Sequence, residues 1–372
     1  MNLAEFLENK GAEYTPFDPT RAPKIFQAFK NDFLPYFKPK VIHILGTNGK
    51  GSTGRMIARG LKNVLHFTSP HLFSINERFY LDGENISSYQ LQEAHTKLYK
   101  KEYMHQASYF EYLTFLCLFL AKDCEYLVLE AGLGGEFDST NVIQDKISVF
   151  TQIGLDHCEI LGESLEQIAT TKLNAMGKIA FLGIQKYQEV KSIAIEIAQS
   201  KNTHIMVLDK PITSPFAMPQ FLLENLTLAS KVLDFLHISY DLTHIASIDL
   251  QGRMQKYSSL ITLDVGHNPD GARAILKEFE GKKITLIYNA YKQKDISQIL
   301  SILSPIIKEV QIIAIDEPRA IQRKELERIL SKLGLKYSEF KDIKAEEEIL
   351  VFGSFSVVRT FLEKFSERQN LH

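Results

Sequence analysis

The chain has 372 residues, 45% of them hydrophobic, which is enough for two or three domains with sizeable cores. Its formal net charge of −2 gives no global basic field of the kind that attracts nucleic acid. The cysteines, Cys117, Cys124 and Cys158, have neither metal-site nor disulfide-framework spacing, so we expect a reduced, cytoplasmic protein. The acidic N-terminal segment is not a secretory signal, and the most apolar run, 113–121, is about half of a membrane span.

Short apolar runs alternate with helical patterns from residue 41 onward. Helices with a period near 3.6 are predicted, for example, at 94–101 and 112–122. This alternation predicts an α/β fold, in which a mostly parallel sheet is covered by helices on both faces. In the first part of the chain the predicted strands are 41–46, 64–68, 126–131, 147–153, 179–184 and 204–208.

A second series of strands and helices begins near residue 260. Asn268 is a predicted N-cap, and Pro269 suits the first position of the helix that follows. The polar segment 249–259 is predicted to link two domains, which we place at 1–250 and 251–372. Ligands are expected at the carboxyl ends of the strands, and two domains facing each other would form a cleft. The predicted strands of the second series are 260–266, 284–289, 310–316 and 349–353.

Residues 41–53, VIHILGTNGKGST, join a buried strand to a helix through a glycine-rich loop. Gly46, Gly49 and Gly51 allow backbone N–H groups to turn toward a phosphate. Lys50 adds a positive charge, and the helix N-terminus adds a partial one. The strict P-loop pattern is not met, because no glycine lies five places before Gly49 and Gly51 stands where the first hydroxyl belongs. The loop still predicts a nucleoside-triphosphate site.

Three residues in the first domain bear on this loop, and one of them, Glu130, predicts a metal ligand beside it. Glu130 ends a predicted strand, and a carboxylate there suits Mg²⁺, which prefers hard oxygen ligands. His157 follows another strand, and Lys172 shares the apolar face of a helix with Ile168. Each has an ordinary alternative: a solvated strand end for Glu130, a structural imidazole for His157, and a stem that carries the amine to water for Lys172.

The second domain offers polar residues in ITLDVGHNPDGA (261–272). Asp264 interrupts an apolar strand, where a charge is costly unless it is paired or bound to a ligand. His267 lies on the turn into the helix, and the alternative is a capping turn with an incidental histidine. Arg253 in the linker is either a ligand contact or a surface charge. Glu136 and Asp138 of the first domain are either site residues or ordinary loop charges.

Together these motifs resemble the folylpolyglutamate synthase/dihydrofolate synthase family, a branch of the Mur-ligase superfamily. GTNGKGS (46–52) matches that family's form of the phosphate loop, which explains the failed strict pattern. The resemblance extends from about residue 15 to near the end. It implies a Mur-ligase-like fold, with a P-loop-containing parallel-sheet N-terminal domain and a smaller Rossmann-like α/β C-terminal domain. Further matching segments are SPHL (69–72), NERF (76–79), SYFEYLTF (108–115), LEAGLGGEFDSTNV (129–142), IGLDHCEILGESLEQIATTK (153–172), GRM (252–254) and LDVGHNP (263–269).

The resemblance also implies roles for individual residues. Lys172 matches a lysine that CO₂ carbamylates in this family, which would make the amine an anionic ligand for Mg²⁺. The catalytic matches are Lys50, His157, Lys172 and His267. The matched ATP contacts are Asn48, Gly49, Lys50, Gly51, Ser52, Asn225, Arg253 and Asp264, and the matched metal positions are Ser52, Ser69, Glu130, His157 and Lys172. The matches to contacts with the pterin end of the substrate are Tyr109, Phe110, Glu111, Phe137, Asp138 and Ser139.

The chain departs from the family pattern at several places. Glu136 stands where the family usually has arginine, which reverses a charge beside an anionic substrate. LNAMGK (173–178) replaces a typical AGI, and Gln255 replaces the acid that usually follows GRM. The chain is also shorter than typical members between 185 and 225. These departures concern substrate recognition more than the ATP chemistry.

The implied reaction is ATP-dependent amide formation in folate biosynthesis. Phosphoryl transfer to a substrate carboxylate makes an acyl phosphate, which the α-amine of L-glutamate attacks. The carboxylate belongs to dihydropteroate, to a folyl γ-carboxylate, or to both. We expect the protein to be a monomer whose partners are ATP, Mg²⁺ and these small molecules. We expect it to bind neither nucleic acid nor a membrane.

Two other functions compete with this one. A cell-wall Mur ligase would normally carry a further domain ahead of the phosphate loop, whereas only 45 residues precede Gly46. A P-loop switch or ATPase that ligates nothing would have no use for LDVGHNP in the second domain.

Overall fold

The computed structural model describes residues 1–11, 17–33, 35, 37–343 and 347–369. The chain divides into two compact units. Unit 1 comprises Met1–Ala217 and Leu222–Ile248, and unit 2 comprises Met218–Phe221 and Asp249–His372.

Unit 1 is built on a sheet in which eight of the described strands take the order β4-β3-β2-β5-β1-β6-β7-β8. Neighbouring strands are parallel from β2 to β8, and β3 and β4 add antiparallel pairs at one edge. The strands are β1 (Lys40–Leu45), β2 (Val64–Phe67), β3 (Phe79–Leu81), β4 (Glu84–Asn85), β5 (Tyr126–Glu130), β6 (Ile147–Phe150), β7 (Ile179–Leu182) and β8 (His204–Val207). The helices are α1 (Leu3–Glu8), α2 (Arg21–Phe33), α3 (Lys50–Gly60), α4 (Ser88–Tyr99), α5 (Tyr109–Ala121), α6 (Cys158–Leu161), α7 (Leu165–Leu173), α8 (Gln188–Ser200), α9 (Gln220–Phe235) and α10 (Leu242–Ala246). The first two residues of α9 belong to unit 2.

Unit 2 contains a second sheet whose described strands have the order β13-β12-β11-β14-β10-β9. All neighbours are parallel except β9 and β10. The strands are β9 (Gln255–Lys256), β10 (Ile261–Asp264), β11 (Ile284–Tyr288), β12 (Ile307–Ile312), β13 (Tyr337–Glu339) and β14 (Ile349–Phe352). The helices are α11 (Pro269–Glu278), α12 (Ile296–Leu303), α13 (Arg323–Lys332) and α14 (Phe355–Gln369).

Both units confirm the predicted α/β class with mostly parallel sheets, and every apolar run predicted as a strand overlaps one, although β12 begins three residues before the predicted run 310–316. The main correction falls on 249–259, predicted as a polar linker, where Gln255 pairs with Leu263 across β9 and β10. Edge strands such as β9 depend on main-chain pairing and need no apolar run, so the sequence pattern misses them. The run 113–121 lies inside α5, which is buried on nearly all sides. In the described part of the chain no helix is both long and apolar enough to cross a membrane.

The register of the first sheet brings three strand ends together. β1 lies between β5 and β6, so that Ile44 is opposite Glu130 and Leu45 is opposite Phe150. Because these strands are parallel, the segments that follow them leave the sheet at the same edge. The phosphate loop, the loop after Glu130 and the segment 151–157 are therefore neighbours.

Candidate active site

The phosphate loop is a turn that only glycine can make at two of its positions. Gly46 has φ 141° and Gly49, which caps α3, has φ 88°. A Cβ on Gly46 would lie 2.0 Å from Thr151 Oγ1, and one on Gly49 would lie 2.4 Å from Asn225 Oδ1. The loop is thus closed on two sides, and it leads directly into the N-terminus of α3, where unpaired N–H groups favour an anion.

The segment after β6 anchors this loop through its backbone. The Gln152 carbonyl accepts hydrogen bonds from Thr47 N at 2.9 Å and from Asn48 N at 3.2 Å. The buried amide of Gln185 braces the same segment, because it accepts from Ile153 N at 2.9 Å and donates to Thr151 O at 3.0 Å. Gln185 was not predicted from the sequence, because a single glutamine after a strand carries no signal.

Two lysine amines converge on the Gly46 carbonyl. Lys50 Nζ donates to it at 3.3 Å and Lys172 Nζ at 3.1 Å. Lys172 is only 5% exposed, so its stem does not carry the amine to water. Burial, with a smaller effect of the Lys50 charge, lowers the pKa of Lys172 to about 7. Near neutral pH much of this amine is therefore uncharged, which makes it a nucleophile.

Glu130 is buried at the end of β5, so the solvated strand end is excluded. Its Oε2 accepts a short hydrogen bond from Thr68 Oγ1 and a longer one, at 3.3 Å, from Ser69 N. His157 has φ 53° and a side chain that is 38% exposed, 3.6 Å from Glu159 Oε1. Within the described ranges, no three His, Cys, Asp or Glu side chains form a metal-binding group. The ligand set for a metal therefore stays a prediction.

The two predicted substrate segments contact each other. We call 132–139, which follows β5, the substrate loop. Phe110 is buried beneath it, since a Cβ on Gly132 would lie 2.5 Å from Phe110 Cζ. Ser139 Oγ and Thr114 Oγ1 are 2.8 Å apart and join the loop to α5. Phe137 is 52% exposed in the same loop and can contact a ligand.

The other predicted substrate residues are engaged within the protein. Glu111 Oε2 accepts hydrogen bonds from Arg21 Nε at 2.6 Å and from Ser108 N at 2.7 Å. Ser108 is the N-cap of α5, so the second bond is part of the helix cap. The ring of Tyr109 lies 5.7 Å from the Arg78 guanidinium. Asp138 is buried, and burial raises the pKa of its carboxyl, although backbone and hydroxyl donors oppose the shift.

Two departures from the family pattern contact each other. Glu136 Oε2 accepts from Asn174 Nδ2 at 2.8 Å, and Glu136 N donates to Thr171 O at 2.8 Å. Asn174 caps the C-terminus of α7, two residues beyond Lys172. The substituted carboxylate therefore has a hydrogen-bonding partner of its own within unit 1.

In unit 2, Asp264 is buried at the end of β10. Its two oxygens accept from Met254 N at 2.9 Å and Gly266 N at 2.7 Å, and burial raises its pKa. His267 Nδ1 lies 3.0 Å from Val265 O. The guanidinium of Arg253 lies 4.8 Å from the centre of the Phe355 ring. The charge inside the strand is thus paired with main-chain donors, as its burial requires.

The parallel sheet and its phosphate loop are typical of a Mur-type ligase, and residues 44–210 match the Mur ligase middle domain. A Helicobacter pylori folylpolyglutamate synthetase structure is 41% identical over 98% of each chain, with a TM-score of 0.79. The chain therefore belongs to the folylpolyglutamate synthase/dihydrofolate synthase family of ATP-dependent ligases.

Two further proteins are similar to this chain, one in sequence and one in fold. A dihydrofolate synthase/folylpolyglutamate synthase of Buchnera aphidicola subsp. Acyrthosiphon pisum is 28% identical over 371 residues, which cover 87% of this chain and 88% of that protein. A bifunctional Yersinia pestis enzyme, solved with AMPPNP and a Mn ion, shares the fold with a TM-score of 0.85 at 24% identity over 98% of each chain.

Proposed function

We propose that this protein joins L-glutamate to dihydropteroate or to the γ-carboxylate of a folate at the expense of ATP. The observation that carries the proposal is that the amines of Lys50 and Lys172 both donate to the Gly46 carbonyl at the end of β1, in a chain of this family. Family membership favours this function over a cell-wall ligase and over an ATPase that ligates nothing.

The phosphate loop supports the first step. The N–H groups at the start of α3 and the Lys50 amine stabilise the charge of the γ-phosphoryl group as it moves to the substrate carboxylate. The α-amine of glutamate then attacks the acyl phosphate, and phosphate leaves. Positioning accounts for most of the rate, because the only proton to be removed is that of the glutamate ammonium. The proposed nucleotide contacts are Asn48, Gly49, Lys50, Gly51, Ser52, Asn225, Arg253 and Asp264.

The donors near the loop fit a hard metal ion such as Mg²⁺. Buried Glu130 supplies a carboxylate and buried Ser52 a hydroxyl, and Mg²⁺ commonly takes only one or two protein carboxylates together with phosphates and water. When bound, the metal neutralises charge on the phosphates. The proposed ligands are Ser52, Ser69, Glu130, His157 and a carbamylated Lys172.

Lys172 has the properties that carbamylation requires. Its uncharged amine attacks the carbon of CO₂, an N–C bond forms, and a proton passes to solvent, which leaves an anionic carbamate. The amine is buried and its pKa is lowered to about 7, so the reactive form is populated near neutral pH.

Carbon-13 NMR of protein equilibrated with ¹³C-bicarbonate tests the carbamate. We expect a protein-bound carbamate resonance that disappears in Lys172→Met. Lys146→Met is the matched control, because Lys146 is also buried and its pKa is also lowered to about 7. A resonance that survives in Lys172→Met would assign the carbamate elsewhere.

Mass spectrometry of products tests the ligation. The purified protein is incubated with ATP, Mg²⁺ and L-glutamate, and with either dihydropteroate or tetrahydrofolate. We expect a product heavier by one glutamyl residue and stoichiometric release of phosphate. Phosphate release without any glutamylated product would contradict the proposal and favour an ATPase.

The same proposal includes the partners and the setting of the enzyme. Its partners are the small-molecule substrates, and it acts as a monomer in the cytoplasm. The cysteines Cys117, Cys124 and Cys158, which have no disulfide-framework spacing, suit a reducing compartment. Light scattering of the purified protein measures the oligomeric state directly.

A further inference from the structure

A buried hydrogen-bonded chain links β1 to the substrate loop. His43 Nε2 lies 2.7 Å from Thr140 Oγ1, and the Thr140 hydroxyl is in turn within short hydrogen-bonding distance of Asp138 Oδ1. His43 and Thr140 are completely buried and Asp138 nearly so. Burying three polar side chains in one row is costly unless each has a partner, and here hydrogen bonds join each side chain to the next.

The number of available protons decides which group donates in each of these hydrogen bonds. Asp138 is an acceptor throughout, since its carboxylate also receives Leu133 N at 2.7 Å and Thr140 N at 2.9 Å. The single hydroxyl proton of Thr140 therefore points to Asp138, and Thr140 accepts from His43. His43 must carry its proton on Nε2, which leaves Nδ1 as a buried acceptor without a hydrogen-bonding partner. Burial, with a smaller effect of Lys146, lowers the pKa of His43, in agreement with a neutral ring.

Asp138 determines the shape of the substrate loop. By receiving Leu133 N and Thr140 N, its carboxylate closes the segment between them into a compact turn that presents Phe137 to solvent. Strand β1 is held on both sides by β5 and β6, so His43 is a fixed point from which this turn is oriented.

We propose that His43 is a positioning residue for the substrate loop, acting through the Thr140 hydroxyl and Asp138 on the binding of the pterin substrate. The inference rests on the proposed function, because it is that function which assigns the loop to the pterin. His43, which orients the substrate loop, lies on β1, the strand that leads into the phosphate loop.

Matched variants test whether the hydrogen bond between His43 and Thr140, and not only the volume of the two side chains, orients the loop. His43→Leu and Thr140→Val remove the hydrogen bond, whereas His43→Gln and Thr140→Ser keep a donor or a hydroxyl. We expect the first two to raise KM for dihydropteroate about tenfold, with KM for ATP changed less than about twofold. The two conservative variants should stay within about threefold of wild type. The double variant His43→Leu/Thr140→Val should be no worse than either single one, because both break one interaction.

Hydrogen exchange provides a measurement that does not depend on activity. His43→Leu and Thr140→Val should accelerate exchange at the amides of Leu133 and Thr140, and His43→Gln should not. If the wild type ligates no glutamate, the proposed function fails, and exchange alone then decides whether His43 orders the loop. Unchanged exchange, or equal increases in KM for ATP and for dihydropteroate, would overturn the positioning role.

Discussion

At the scale of single residues, the buried lysines are the most informative feature of unit 1. Lys172 shares its acceptor, the Gly46 carbonyl, with Lys50, and two cations so placed repel each other. Burial, with this repulsion as a smaller contribution, lowers the pKa of Lys172, and loss of its proton relieves the repulsion. Lys50 is then the remaining cation at the phosphate loop.

Lys50→Ala tests that assignment. We expect kcat to fall at least about a hundredfold, because the variant loses a charge that acts on the transferring phosphoryl group. Lys62→Ala is the control, since Lys62 is exposed just beyond the other end of α3. Steady-state phosphate release measures both. A Lys50→Ala enzyme within a few-fold of wild type would contradict the role of this loop.

The buried amine of Lys146 predicts how the free energy of unfolding depends on pH. Burial, then repulsion by Lys201, lowers its pKa from 10.5 to about 7. Between these values the unfolded chain binds a proton that the folded chain lacks, so the free energy of unfolding rises with pH in this window. Below pH 7 both states are protonated, and the folded state carries the full cost of the buried cation.

We therefore expect wild type to gain about 3 kcal/mol relative to Lys146→Met between pH 6 and pH 9. Urea unfolding at several pH values measures this difference, with the exposed-site variant Lys62→Met as the control. Parallel pH profiles for wild type and Lys146→Met would show that the amine titrates normally in the folded protein.

At the scale of elements, apolar runs were sufficient to predict the central strands, and a helical period placed Lys172 on the buried face of α7. The short strands β3, β4, β9 and β13 were missed, because two or three residues are too few to show a strand pattern in the sequence. The contact of Glu136 with Asn174 was also beyond the sequence. It joins a loop to a helix end, and nothing in local spacing indicates which loop meets which helix.

Gly49→Ala tests the shape of the phosphate loop. The substitution adds left-handed strain at φ 88° and a clash at 2.4 Å with Asn225, so we expect the Kd of AMPPNP to rise at least about tenfold. Gly281→Ala is a matched control, because Gly281 has φ 79° and open space around it. Isothermal calorimetry measures both affinities. An equal loss in the two variants would indicate general destabilisation instead of a local effect.

At the scale of the whole molecule, the chain consists of two compact units, so a single unfolding transition is not assumed. AMPPNP with Mg²⁺ at about 100 times its Kd should stabilise the folded protein by about 2.7 kcal/mol. Differential scanning calorimetry should show this as a higher Tm for wild type and for Lys62→Ala, and as little or no shift for Lys50→Ala. Equal shifts in all three proteins would place the nucleotide away from the phosphate loop.

The close approach of Gly49 to Asn225 has a consequence for protein synthesis. The ribosome releases the phosphate loop early, whereas helix α9, which carries Asn225, emerges only near the end of unit 1. A nascent chain that stops before α9 lacks one wall of the nucleotide cradle. We therefore expect the wall formed by Asn225 to be in place only after nearly all of unit 1 has been translated.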